Sequence, residues 1–260
     1  MGAPDPVRGL PLVELAASSL AIADLHLDPA ASEHCAGFIA FAERIHGVPA
    51  LLILGDFYDA WVGRGHASLP GAAATIAALA GLTASGTAVH MLHGNRDFLL
   101  DASFERLTGA RVHPRGMDTR LPDGSRCLWI HGDELCTRDH AYQRLRRVVR
   151  SAPVRGISRA LPLSVSRAVA RRLRRASVQA IAGKAPEEKS IQLDAAARWS
   201  AELGIPRLVC GHAHDYRVEE LDGGGRLTVL DAFGGSRDLL IVEADGSLRA
   251  TASSGYPDGD

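Results

Sequence analysis

Five short apolar runs in this chain break off into the same kind of polar chemistry. They read LAIADLH (Leu20–His26), ALLILGD (Ala50–Asp56), VHMLHGN (Val89–Asn95), LWIHGD (Leu128–Asp133) and LVCGHAH (Leu208–His214). Runs of this length, with helical segments between them, predict strands of a layered sheet with helices on its faces. In such sheets, functional groups collect beyond the carboxyl ends of the strands. The five termini can therefore converge, and that possibility constrains the chain more than any other feature.

The converging groups are Asp24 and His26, Asp56, Asn95, His131, and His212 with His214. Carboxylate, imidazole and amide oxygen suit a divalent ion such as Mn2+, Fe2+ or Zn2+, and the lack of a thiolate argues against structural zinc. Each motif alone is weak, because a histidine at a strand end is more often structural than ligating. Five at the same structural position predict a dinuclear metal site.

At 260 residues the chain can bury one substantial core. The four cysteines have no CxxC spacing and are read as reduced thiols. No apolar run approaches the roughly 18–20 residues that span a bilayer. Near the N-terminus Pro4, Asp5, Pro6 and Glu14 break the pattern of a signal peptide, and no Ser or Thr completes a myristoylation signal after Gly2. A cytoplasmic protein is expected. Helices are predicted over residues 32–46 and 70–85, and antiparallel strands near the C-terminus. The closing SSGYPDGD is expected to be a mobile tail.

The net charge of −1 hides a strong asymmetry. Between Arg138 and Arg175 lie twelve arginines and one acid, Asp139, which leaves 17 basic residues against 29 acidic ones elsewhere. This segment mixes arginines with Val, Leu and Ile at helical spacing. It reads as a solvated helical face, as a nucleic-acid surface that lacks aromatic platforms for bases, or as basic amphipathic helices lying on an anionic membrane. The third is the leading reading, with no nucleic acid as partner.

The order D-x-H, G-D-x-x-D, G-N-x-D, H-G-D, G-H-x-H resembles the calcineurin-like metallophosphoesterases. Within them, IADLHL, LGDFYDAWVG, HGNRDFLL and HGDELCTRD are similar to the UDP-2,3-diacylglucosamine hydrolases of lipid A biosynthesis. The resemblance implies an α/β fold, a four-layer αββα sandwich with a helical insertion lid. Its expected parts are a core at 19–138 and 201–252, a basic helical insertion at 139–200, and terminal extensions at 1–18 and 253–260. It implies two divalent metal ions, with Mn2+ expected. Asp24, His26 and His214 would hold one, Asn95, His131 and His212 the other, and Asp56 would bridge them. A metal-bridging hydroxide would attack the α-phosphorus, releasing UMP and the acylated sugar 1-phosphate.

Arg96 would clamp the pyrophosphate through two donors, which a permanently charged guanidinium does well; the bland alternative is an ion pair with Asp97 or Asp101. Asp97 itself reads as a loop brace. The implied substrate contacts are Asn95, Arg96 and His212 in the core, and Asp139, Ser177 and Lys184 in the insertion. The implied partners are a nucleotide-sugar lipid and the inner face of the cell membrane, to which the protein would attach peripherally. On this reading, removing residues 140–185 spares hydrolysis of simple esters if the core still folds.

The sequence departs from the family at Ile181, where an Asn is usual, at Arg64-Gly65 in place of an acidic pair, at GHAHDY, and in the extension before Ser19. None is a metal ligand, so these bear on substrate identity. The alternatives are a phosphoesterase acting on another phosphoanhydride, phosphodiester or phospholipid headgroup, and a non-catalytic, metal-stabilised scaffold.

Overall fold

The computed structural model describes residues 7, 9–162, 164–165, 168–169, 172 and 186–257. Its strands are β1 (Leu12–Glu14), β2 (Leu20–Ile22), β3 (Ala50–Ile53), β4 (Ala88–Leu92), β5 (Arg111–His113), β6 (Met117–Arg120), β7 (Arg126–Trp129), β8 (Arg207–Cys210), β9 (Arg217–Leu221), β10 (Gly225–Val229), β11 (Leu239–Val242) and β12 (Leu248–Thr251). The helices are α1 (Ala36–Arg44), α2 (Pro70–Ala84), α3 (Ala102–Thr108), α4 (His140–Val149), α5 (Ala152–Ala160), α6 (Pro186–Lys189) and α7 (Leu193–Leu203).

The strands form two mixed six-stranded sheets, ordered β12-β11-β2-β3-β4-β5 and β1-β6-β7-β8-β10-β9. Alternation along each strand sorts side chains between two faces. Leu20, Ile22, Leu51 and Ile53 pack outward against α1, α2 and α3. Their neighbours Ala21, Ala23, Leu52 and Leu54 face inward, where they meet Cys127, Trp129 and Val209 of the other sheet. Leu128, Ile130 and Leu208 point the opposite way, onto Ala195, Ala196 and Trp199 of α7. Helix, sheet, sheet and helix thus stack as the expected four-layer α/β sandwich.

Local signals explain the helix ends. Asp101 caps α3 by accepting a hydrogen bond from the Ser103 N–H, and Gly109 ends it with φ 72°. Pro70 opens α2, where its missing N–H costs nothing. The predicted 32–46 helix is a 3-10 turn over Ser32–Cys35 followed by α1.

Three strands escaped the sequence pattern: β1, β5 and β6 are three or four residues long and carry polar residues. β1 pairs in parallel with β6, and Val7 is buried in the outer core, so the described part of the N-terminal extension belongs to the sandwich. The C-terminal strands are antiparallel as expected, but the hairpins separate: β9 and β10 join one sheet, β11 and β12 the other. The tail does not start at Ser253. Its N–H and hydroxyl both donate to the buried Asp238 carboxylate at 2.6 Å.

The parallel strands β2, β3 and β4 of one sheet and β7 and β8 of the other deliver their carboxyl ends to the same edge of the sandwich. Adjacent loops of one sheet press together there, Asp56 following β3 and Gly94 following β4. At Gly94 an added Cβ would fall on the Asp56 carboxylate and its backbone nitrogen. Gly94→Ala is therefore expected to cost about 1–3 kcal/mol of stability through overpacking, measured by urea unfolding, and to displace Asp56.

Candidate metal centre

The turn after each strand is tight. Among the described residues, six non-glycine positions have positive φ, and five are predicted ligands: Asp24 (54°), His26 (48°), Asp56 (49°), His212 (69°) and His214 (54°). Such left-handed conformations are uncommon outside glycine and cost free energy unless neighbouring structure enforces them. Here it does. The Asp24 N–H donates to the Gly55 carbonyl (3.2 Å), the His26 N–H to the Asp56 carbonyl (2.9 Å) and the His212 N–H to Asp24 Oδ2 (2.6 Å).

These turns bring all seven predicted ligands together. His26 Nε2 lies 3.1 Å from His214 Nε2, and His214 Nε2 lies 3.5 Å from Asp24 Oδ1. His131 Nε2 lies 3.0 Å from Asn95 Oδ1, 3.2 Å from His212 Nδ1 and 3.8 Å from Asp56 Oδ1. Metal–donor bonds of roughly 2.0–2.2 Å place neighbouring ligands about 3 Å apart, so the spacings match those of donors around a common ion. Asp24, His26 and His214 form one such group; Asp24, Asp56 and His131 form another.

Electrostatics favour the same reading. Asp24 Oδ1, which faces His214, is buried and makes no hydrogen bond, a costly state that a cation would relieve. Burial, with Arg96 nearby, lowers His26 to about 3, and burial lowers His212 to about 4, so both keep a lone pair at neutral pH. Burial pulls down on His131 too, but Asp56, Asp24, Asp133 and Glu134 outweigh it and raise this imidazole to about 9. Asp56, desolvated and close to Asp97 and Asp24, is pushed up to about 7. A carboxylate and an imidazole that retain protons in this way mark a pocket built for cations. The His131 Nδ1 sits 2.9 Å from the Leu54 carbonyl; donating to it, the ring turns Nε2 toward the other ligands. The residues present fit divalent metal ions.

Arg96 sits beside this group. Its Nε is 3.4 Å from Asp56 Oδ2, its Nη1 pairs with Asp59, and a third of the side chain is exposed. Its partner is thus Asp59, not Asp97 or Asp101. Asp97 braces the loops as expected, accepting from the Gly94 N–H (2.8 Å) and the Phe57 N–H (2.8 Å). Asp139 is buried and caps α4, accepting from the Tyr142 N–H at 2.9 Å. Ser177, Lys184 and Ile181 lie outside the described residues. Of the remaining histidines, His66, His90, His93 and His113 are buried in packing, with His90 Nδ1 3.0 Å from His113 Nε2.

Sequence reasoning missed one cluster. Arg146 and Arg150, expected on an outward basic face, turn inward to the buried acids Asp133 and Glu134. Their spacing of four residues was a signal, since it aligns both on one side of a helix.

A family model for calcineurin-like phosphoesterases matches residues 18–216. A protein of Azotobacter vinelandii named UDP-2,3-diacylglucosamine hydrolase is 38% identical over 88% of this chain and 95% of its own. Proteins of the same name from Pseudomonas syringae and Pseudomonas aeruginosa are 37% and 35% identical, over 79% and 90% of this chain and 82% and 98% of theirs. With its ligand loops inside the matched region, this chain belongs to the calcineurin-like phosphoesterase family.

Proposed function

We propose that the chain hydrolyses the pyrophosphate bond of UDP-2,3-diacylglucosamine, giving UMP and 2,3-diacylglucosamine 1-phosphate, a step of lipid A biosynthesis. The carrying observation is a seven-residue donor cluster with a guanidinium held at its edge, Arg96 Nε being 3.4 Å from Asp56 Oδ2. The name shared by relatives at 35–38% identity supports the choice of substrate.

On this reading Asp24, His26 and His214 would hold one cation, Asn95, His131 and His212 would hold the other, and Asp56 would serve both. Mn2+ suits the oxygen and imidazole donors. When bound, the two cations supply an acidified water and neutralise charge on the phosphorus oxygens. Asn95 contributes a neutral oxygen where carboxylates already abound. Arg96 exchanges part of its pairing with Asp59 for two phosphate oxygens, fixing the pyrophosphate in one orientation. His212 borders the same space, and Asp139, Ser177 and Lys184 complete the substrate contacts.

The insertion supplies the membrane contact. Leu145, Val148 and Ile157 are 45%, 60% and 61% exposed. The exposed Arg144 and Arg147 lie alongside the first two on α4. Apolar side chains flanked by arginines suit an anionic bilayer surface, and no helix among the described residues is long and apolar enough to cross one. The protein works at the inner face of the cell membrane, attached peripherally.

Three measurements test this reading. UMP release should be faster from UDP-2,3-diacylglucosamine than from UDP-glucose, and Asp56→Ala should abolish it; equal or faster turnover of a generic aryl phosphodiester would instead indicate another phosphoester substrate. Between pH 7 and 8, Mn2+ uptake should release a proton, because His131, raised to about 9, carries one there that a cation must displace. Calorimetry in buffers of different ionisation enthalpy reads that proton. Vesicles containing anionic phospholipid should sediment the wild type, while L145E/V148E/I157E should bind at least tenfold more weakly.

A further inference from the structure

Two adjacent acids, Asp133 and Glu134, are buried directly after the His131-Gly132 motif. Their countercharges come from α4 and the residue that ends it. Arg146 Nε donates to Asp133 Oδ2 (2.8 Å) and its Nη2 to Glu134 Oε1 (2.6 Å), while the Tyr142 hydroxyl donates to Asp133 Oδ2. Arg150 Nη2 donates to Asp133 Oδ2 (3.2 Å) and also to the Gly94 carbonyl (2.8 Å). Both arginines are largely enclosed, at 14% and 15% exposure.

Gly94 immediately precedes Asn95, and Asp133 follows His131 by two residues. Those loops leave β4 and β7, strands of different sheets, and present Asn95 Oδ1 and His131 Nε2 to one another at 3.0 Å. One guanidinium therefore spans the two loops that carry this donor pair. A cation site tolerates little change in donor spacing, and residues behind the ligands commonly tune its affinity.

We infer that Arg150, supported by Arg146, is a positioning residue for the second cation, through its simultaneous hold on Gly94 and Asp133. The inference rests on the two-cation reading above and extends it to the insertion. Helix α4 is then part of the metal centre. Removing residues 140–185 would strip Asp133 and Glu134 of their countercharges, contrary to the expectation that the core works without this segment.

The test is calorimetric Mn2+ titration of the full chain, with electron paramagnetic resonance to detect coupling between neighbouring Mn2+ ions. The wild type should bind two equivalents. In Arg150→Met, affinity at one site should fall about 10–100-fold, with the other unchanged and the coupled signal lost at equal Mn2+. Arg147→Met, an exposed position on the same helix, should match the wild type. Two wild-type affinities in Arg150→Met, or an equal fall at both sites, overturns the inference while leaving the two-cation reading intact. Fewer than two equivalents in the wild type overturns both. If Arg150→Met does not fold, Arg150→Gln keeps a polar head but removes the charge and is two bonds too short to span both acceptors. It should lose at least tenfold at one site, and wild-type affinity there overturns the proposal.

Discussion

The structure depends on how two separate sheets are joined at the carboxyl ends of their strands. His131, from the β7 loop, approaches the Leu54 carbonyl at the end of β3. Asp24, from the β2 loop, accepts from the backbone N–H of His212 beyond β8. These contacts form between sheets whose facing layers are filled by Ala21, Leu52, Leu54, Trp129 and Val209. Packed sheets normally stand about 10 Å apart, and at this edge side chains from the loops close that gap, His26 Nε2 meeting His214 Nε2 at 3.1 Å and Asn95 Oδ1 meeting His131 Nε2 at 3.0 Å. Small residues let the loops approach closely enough: at Gly211, after β8, an added Cβ would fall on Asp24 Oδ2 and the Ala23 side chain, after β2.

Closing the edge concentrates groups that a folded protein otherwise keeps apart. Asp24, His26, Asp56, His212 and His214 are held on strained turns around a space shared with His131. Burial disfavours their charged forms, while their proximity shifts protons among them. The result is opposite shifts within one cluster, His131 upward and His26 and His212 downward. Divalent cations would relieve this by replacing protons and supplying a partner for the orphaned Asp24 Oδ1. Strain, burial and unfulfilled hydrogen bonding thus have one common remedy, which is also the source of reactivity in phosphoester hydrolysis.

The insertion has two faces with different roles. Tyr142, Arg146 and Arg150 turn to the core and neutralise acids beside the metal loops. Arg144, Leu145, Arg147 and Val148 point to solvent. On the proposed reading, a helix built this way would link a membrane-facing surface to the donors of a metal centre through only a few side chains.

The sequence by itself determined the strand ends and their chemistry. Apolar runs of fixed period followed by Asp, His and Asn are local signals; they made the α/β class legible, as the family match over residues 18–216 bears out, and pointed to the seven candidate donors. It did not determine the short polar strands β1, β5 and β6, whose pairing depends on neighbours distant in sequence. Nor could it divide the two C-terminal hairpins between sheets, because local pairing does not specify which edge a hairpin joins. The left-handed backbone at five ligands, the Asp59 partner of Arg96 and the inward turn of Arg146 and Arg150 were likewise decided by tertiary structure. A charged side chain takes whichever partner folding leaves buried beside it, and composition alone cannot say which of twelve arginines will meet Asp133.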